Sequence, residues 1–134
     1  MKILTKGEHK VMDCLWKSDI SLTSNEIADH LKNEHFGKPA VFKAIQVLLE
    51  EGFIEISGVE QATKIYARKF SPKVTVEGYA AYLLETEGLT IFDVKDLLLA
   101  MLDRVENGKI KKSDVKSIEA DLEDVIGKFA AKSK

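Results

Sequence analysis

Lys38-Pro39-Ala40-Val41-Phe42-Lys43-Ala44-Ile45-Gln46-Val47-Leu48-Leu49-Glu50-Glu51-Gly52-Phe53-Ile54-Glu55-Ile56-Ser57 is the stretch on which the fold turns. Pro39 suits a first helical turn, where its missing N–H is not needed, and Gly52 suits a helix stop. Between them Val41, Ile45, Leu48 and Leu49 recur at helical spacing as a buried stripe, which leaves Lys38, Phe42, Lys43 and Gln46 pointing outward. After Gly52 the period drops to 2. Phe53 to Ser57 alternates, a turn is expected over Gly58 to Ala62, and Thr63-Lys64-Ile65-Tyr66-Ala67-Arg68 alternates again, together a β-hairpin.

Upstream, Thr5 with Glu8 and Thr23 with Glu26 are two capping boxes, each a helix start in which hydroxyl and carboxylate satisfy one another's backbone N–H. The first opens a helix with Val11, Met12, Leu15 and Trp16 on one face, ending near Lys17. The second opens a helix with Ile27, Ala28 and Leu31 inward. Ile20-Ser21-Leu22 just before it is β-branched enough for a short strand. Helix, short strand, helix, helix, hairpin is the order of a winged helix-turn-helix, in which the third helix enters the major groove and the hairpin lies along the neighbouring backbone.

Lys69 to Thr75, with Ser71-Pro72, breaks the pattern and marks a boundary. The expected domains are 1–73, a winged-helix DNA-binding domain, and 74–134, a helical dimerisation domain. The second holds a helix with Val76, Tyr79, Ala80, Leu83 and Leu84 closed by Gly88, one capped by Thr90 and ended by Gly108, and one capped by Ser113. Leu97, Leu98, Met101, Leu102 and Val105 on the fifth helix and Ile118, Leu122, Val125 and Ile126 on the sixth make stripes too wide for so small a unit to bury alone. Folding back on the first domain would satisfy them. The intervening boundary favours pairing of two copies instead. The fold class is therefore mainly α with a small β wing, a winged helix-turn-helix followed by a three-helix dimerisation domain.

The charge total, 20 Lys+Arg against 22 Asp+Glu in 134 residues, argues at first against a nucleic-acid partner. Its distribution argues the other way. Residues 38–49 hold Lys38 and Lys43 and no acid, and residues 61–73 hold Lys64, Arg68, Lys69 and Lys73 and no acid. The single cysteine, Cys14, cannot pair internally, which suits a reducing cytoplasm. Met1 to Lys6 is charged again by its sixth residue, so no signal-peptide core is expected, and no apolar run approaches a membrane span. His9, His30, His35 and Cys14 share no ligand spacing, and neither H-E-x-x-H nor G-x-S-x-G occurs. No metal, cofactor or enzymatic activity is expected.

Glu8-His9-Lys10-Val11-Met12-Asp13-Cys14-Leu15-Trp16 resembles the E-x-x-V-M-x-x-L-W opening of the penicillinase-repressor family of bacterial regulators, the BlaI/MecI/CopY type. Leu22 to Ile27 is similar to that family's second-helix start, Leu48 to Ile54 to its recognition-helix exit, and Tyr66 with Ser71-Pro72 to its wing exit. The resemblance implies a homodimeric repressor on a palindromic operator, with a helical dimerisation tail. Ala40, Lys43 and Val47 stand where the family commonly has Thr, Thr and Arg, so the operator does not carry over. No Asn-Phe bond is present for the proteolytic release of the penicillinase branch, and no C-x-C motif for the copper-sensing branch.

The expected DNA contacts are Lys38, Pro39, Ala40, Phe42, Lys43 and Gln46 on the recognition helix and Lys64, Arg68 and Lys69 on the wing. Lys43 and Gln46 have base-edge chemistry, Lys for guanine and Gln for adenine. Taken alone they belong on any solvated helix face. Phe42 suits either a thymine methyl or a neighbouring helix. Lys64, Arg68 and Lys69 suit phosphate, with an ordinary charged hairpin edge as the alternative. Tyr66 is expected to pack within the wing and Trp16 in the core. The expected function is a cytoplasmic transcriptional repressor binding double-stranded DNA as a homodimer, released by a protease or a small-molecule inducer. Its alternative is a winged-helix protein-interaction module that has lost DNA binding.

Overall fold

In a computed structural model that describes residues 1–62 and 65–133, the elements are α1 (Lys6–Trp16), β1 (Leu22–Thr23), α2 (Ser24–Leu31), α3 (Lys38–Glu50), β2 (Ile54–Ala62), β3 (Ile65–Pro72), α4 (Val76–Thr86), α5 (Val94–Asp103) and α6 (Lys112–Lys132). One-turn 3-10 helices occupy Lys32–Glu34 and Ile91–Asp93. The chain is mainly α with a small antiparallel sheet ordered β1-β3-β2, as the pattern of periods predicts. It divides into two units, Met1–Leu89 and Thr90–Lys134.

Both capping boxes form in the first unit. Thr5 Oγ1 accepts from the Glu8 N–H at 3.2 Å while Glu8 Oε1 accepts from the Thr5 N–H at 3.0 Å, and the Thr23–Glu26 pair repeats this at 3.2 and 2.9 Å. Gly52 leaves α3 at φ +78°, a left-handed stop that a side chain would strain. Val11, Met12 and Leu15 of α1, Ile27 and Leu31 of α2, and Val41, Ala44, Ile45 and Leu48 of α3 meet Phe53, Ile54 and Phe70 in one core. The three helices thus carry the sheet on one side, and α3 is held with its apolar stripe inward and its remaining face outward.

The hairpin is longer than alternation alone suggests. Gly58 to Ala62, expected as a turn, belongs to β2, and β3 continues through Pro72. A register shift between Ile56 and Gly58 explains the difference, because the extra residue breaks the period of 2 in one strand while the pairing with β3 resumes from Gly58 opposite Lys69 to Ala62 opposite Ile65. The short strand before α2 falls at Leu22–Thr23, paired with Phe70 and Lys69.

Helix α4 packs on this same unit. Tyr79 is buried, its ring against Phe53 and its Oη accepting from the Leu4 N–H at 2.9 Å, and Trp16 Nε1 donates to the Val74 carbonyl at 2.8 Å. Trp16 sits at the edge of the core, 6.1 Å from Tyr79. The segment past residue 73 is therefore fastened by two long-range hydrogen bonds, one to Trp16 at the end of α1 and one to Leu4 just before its start.

In the second unit Thr90 caps the one-turn helix that leads into α5, accepting from the Phe92 N–H at 3.2 Å. Gly108 has φ +84° between α5 and α6. Ser113, expected as the cap of α6, lies inside its first turn. The start is instead at Lys111, whose N–H donates to Asp114 Oδ2 at 2.9 Å, because a carboxylate three residues on satisfies the helix end better than the hydroxyl available here.

Candidate nucleic-acid interface

The turn between α2 and α3 sets the direction of the outward helix. His35 adopts the left-handed conformation at φ 56°, and Gly37 caps α3. Phe36 lies against α1 so closely that a Cβ on Gly7 would stand 2.7 Å from its ring. Lys10 Nζ sits 6.0 Å from the centre of that ring and donates to the Glu34 carbonyl at 3.2 Å. A glycine on one helix and an aromatic ring in the turn thus lock the approach to α3.

Along α3, Lys38, Pro39, Ala40, Phe42, Lys43 and Gln46 are all exposed, while Val41, Ala44, Ile45 and Leu48 are buried. The outward face is continuous. Phe42, Gln46 and Glu50 form one stripe at four-residue spacing, and with Ser24, Ile45, Leu49 and Arg68 they line a groove of about 420 Å³ between α3, the start of α2 and β3. Gln46 Nε2 donates to Glu50 Oε1 at 3.4 Å. Across the groove the Arg68 guanidinium lies 5.5 Å from the centre of the Phe70 ring, a cation–π contact that directs it from the wing.

One of the expected wing cations does not share this placement. Lys69 follows Arg68 on the strand and so projects from the opposite face. Its charge, after the Thr23 backbone hydrogen bond, helps lower the Glu26 carboxyl. Lys64 lies outside the described residues. Tyr66, expected to pack within the wing, is 67% exposed, because the longer hairpin carries it past the core. Phe42, for which DNA and a neighbouring helix are equal expectations, is 41% exposed and lines the groove together with Ile45 and Leu49. Ser24 and Glu50 were not singled out as site residues. The spacing of Glu50 from Phe42 and Gln46 carried the signal for it, whereas Ser24 enters only through tertiary packing.

Burial pushes the Cys14 thiol up, helped by the Asp13 and Glu34 charges, so it stays protonated and a poor nucleophile at neutral pH. Among the described residues, no three His, Cys, Asp or Glu side chains are arranged to hold a metal ion, and no helix is long and apolar enough to cross a membrane.

A helix-turn-helix with an exposed, acid-poor second helix beside a three-stranded wing defines a winged-helix transcriptional regulator. The chain belongs to the penicillinase repressor family, whose model matches residues 4–124 and so takes in both units. It is a transcriptional regulator and not an enzyme. Comparison with curated proteins returns no match. Among solved structures, the chain is similar to PerR from Streptococcus pyogenes at 14% identity, covering 52% of this chain and 47% of that one, with a TM-score of 0.43. It spans less than half the length of that protein. It is also similar to a MarR family regulator from Neisseria meningitidis at 22% identity, covering 98% and 82%, with a TM-score of 0.42. Bacillus subtilis PadR in complex with operator DNA aligns at 18% identity over 94% and 77%, with a TM-score of 0.44.

Proposed function

We propose that this regulator is a cytoplasmic repressor that binds a palindromic operator as a homodimer, each head placing α3 in the major groove and its wing on the adjacent backbone. The observation that carries this is the groove itself. It brings together Gln46 on one wall and Arg68 on the other, groups suited to a base edge and to a phosphate, with Lys38 and Lys43 also exposed on α3.

The second unit supports the proposed dimer. Leu98, Met101, Leu102 and Val105 of α5 and Ile118, Leu122, Val125 and Ile126 of α6 are exposed in the single chain, with Leu97 half-buried. Each such side chain contributes ~1.5–3 kcal/mol once fully buried, and a second copy offers the same stripe in return. Two heads held by one dimer suit a palindromic site.

The sequence carries neither the Asn-Phe bond nor the C-x-C motifs of the two characterised branches, which supports release by a different signal. A protease acting at another bond and a small-molecule inducer both fit. Gel shifts on fragments of the source genome test the proposal. A sequence-dependent complex that Lys43→Glu weakens supports it; no complex with any fragment would leave the protein-interaction module in its place.

A further inference from the structure

We infer that Phe42, Gln46 and Glu50 form a single reader of thymine·adenine pairs, in which Glu50 is a positioning residue that sets the Gln46 amide. This rests on the proposed binding of α3 in the major groove. The three side chains stand at four-residue spacing on one exposed face, about 6 Å of helix rise between neighbours, the span of one to two base pairs.

The argument starts at Glu50. An ionised carboxylate only accepts hydrogen bonds, so the Gln46 amide must turn its nitrogen toward Glu50 Oε1, 3.4 Å away. That choice fixes the rest. One N–H is used, which leaves the second N–H and the carbonyl oxygen, the donor and acceptor that match adenine N7 and the N6 amino group. Guanine offers two acceptors at those positions and would leave the amide oxygen facing another oxygen. Among the described residues no cation lies within ion-pair distance of Glu50, so its carboxylate is not drawn away from this task.

Phe42 supplies the apolar half. It has no hydrogen-bonding group, it is partly exposed one turn before Gln46, and only thymine carries a methyl on the major-groove edge. Arg68 and Ser24 close the groove from the other side with groups suited to phosphate.

The test uses the full chain and the duplexes it enriches from a random library. Expected is a T·A pair shared by both half-sites. Replacing that thymine by uracil, which removes only the methyl, should weaken binding about fourfold, and the loss should vanish in Phe42→Ala. Changing the A·T pair to G·C should cost about tenfold. Glu50→Ala should cut that preference about fivefold, while Glu50→Gln, whose amide can donate as well as accept and so no longer fixes the Gln46 amide, should restore it only in part. The preference ratio is a readout that a general loss of fold would not shift selectively. Enriched DNA without a shared T·A pair, or indifference of the unaltered protein to uracil, overturns this inference and leaves the repressor proposal standing. Failure to enrich any DNA overturns both.

Discussion

In Met1–Leu89 the apolar side chains of Val11, Met12, Ile27, Val41 and Phe53 are sealed from solvent; in Thr90–Lys134 those of Leu98, Leu102, Leu122 and Val125 stand between 42 and 51% exposed. Both units are built from amphipathic helices, so the difference lies in what each helix meets. In the first, three helices, a sheet and α4 enclose one another. In the second, α5 and α6 carry comparable residues and leave them uncovered in a single chain. One unit encloses its own core, and the other leaves its stripes open for the second copy that we propose covers them.

This contrast breaks most visibly in the core of the head. Phe53→Ala should lower its unfolding free energy by ~3–5 kcal/mol, the cost of a large buried side chain with no room to collapse, measured by denaturant melting of the full chain. The loss should not depend on protein concentration. Leu102→Asp with Leu122→Asp should do the opposite, dissociating the dimer in sedimentation by at least a hundredfold in Kd, about 2.7 kcal/mol, while the head's melting transition stays in place. A monomeric unaltered protein at micromolar concentration would remove the distinction between the two units.

A smaller effect sharpens how the head presents α3. Gly7→Ala places a Cβ 2.7 Å from the Phe36 ring, so the turn before α3 must shift. Overpacking of this kind costs ~1–3 kcal/mol, and DNA affinity should fall beyond what the stability loss explains. Phe36→Leu in the Gly7→Ala background should recover much of both.

The smallest effect is on acid stability. Burial raises the Glu8 carboxyl, but the Lys2 ammonium at 2.8 Å and the Thr5 N–H and hydroxyl together outweigh it and hold the group below its ordinary value. A carboxyl depressed in the folded state stabilises fully above its unfolded pKa and loses that contribution as pH falls through the folded value. The head should therefore weaken in acid, and Lys2→Ala should flatten this dependence. An unchanged acid limb in pH-dependent melting would assign the effect to other carboxyls.

Much of this was legible because the decisive signals are local. Capping pairs at Thr5–Glu8 and Thr23–Glu26, Pro39 near the start of α3 and Gly52 at its end each act within four residues, and so the helices and their inward faces can be located from the chain alone. What the sequence conceals is tertiary. The β2 irregularity after Ile56 hides a continuous strand behind a broken period, and the tie from Tyr79 to Leu4 spans 75 residues. The interface divides the same way. The outward face of α3 follows from its stripe, and the opposite directions of Arg68 and Lys69 follow from alternation once β3 is known to be regular. That Arg68, Phe42, Gln46 and Ser24 share one groove required the fold.

The salt dependence of DNA affinity tests the central claim most directly. Titrating the full chain onto its enriched duplex by fluorescence anisotropy should give log Kd rising linearly with log salt, about 0.9 for each phosphate engaged. Arg68→Ala, applied to both heads of the dimer, should reduce that slope by about two while leaving base preference unchanged. Binding that ignores salt, or a slope that Arg68→Ala does not alter, would contradict a winged head that grips DNA between α3 and its wing.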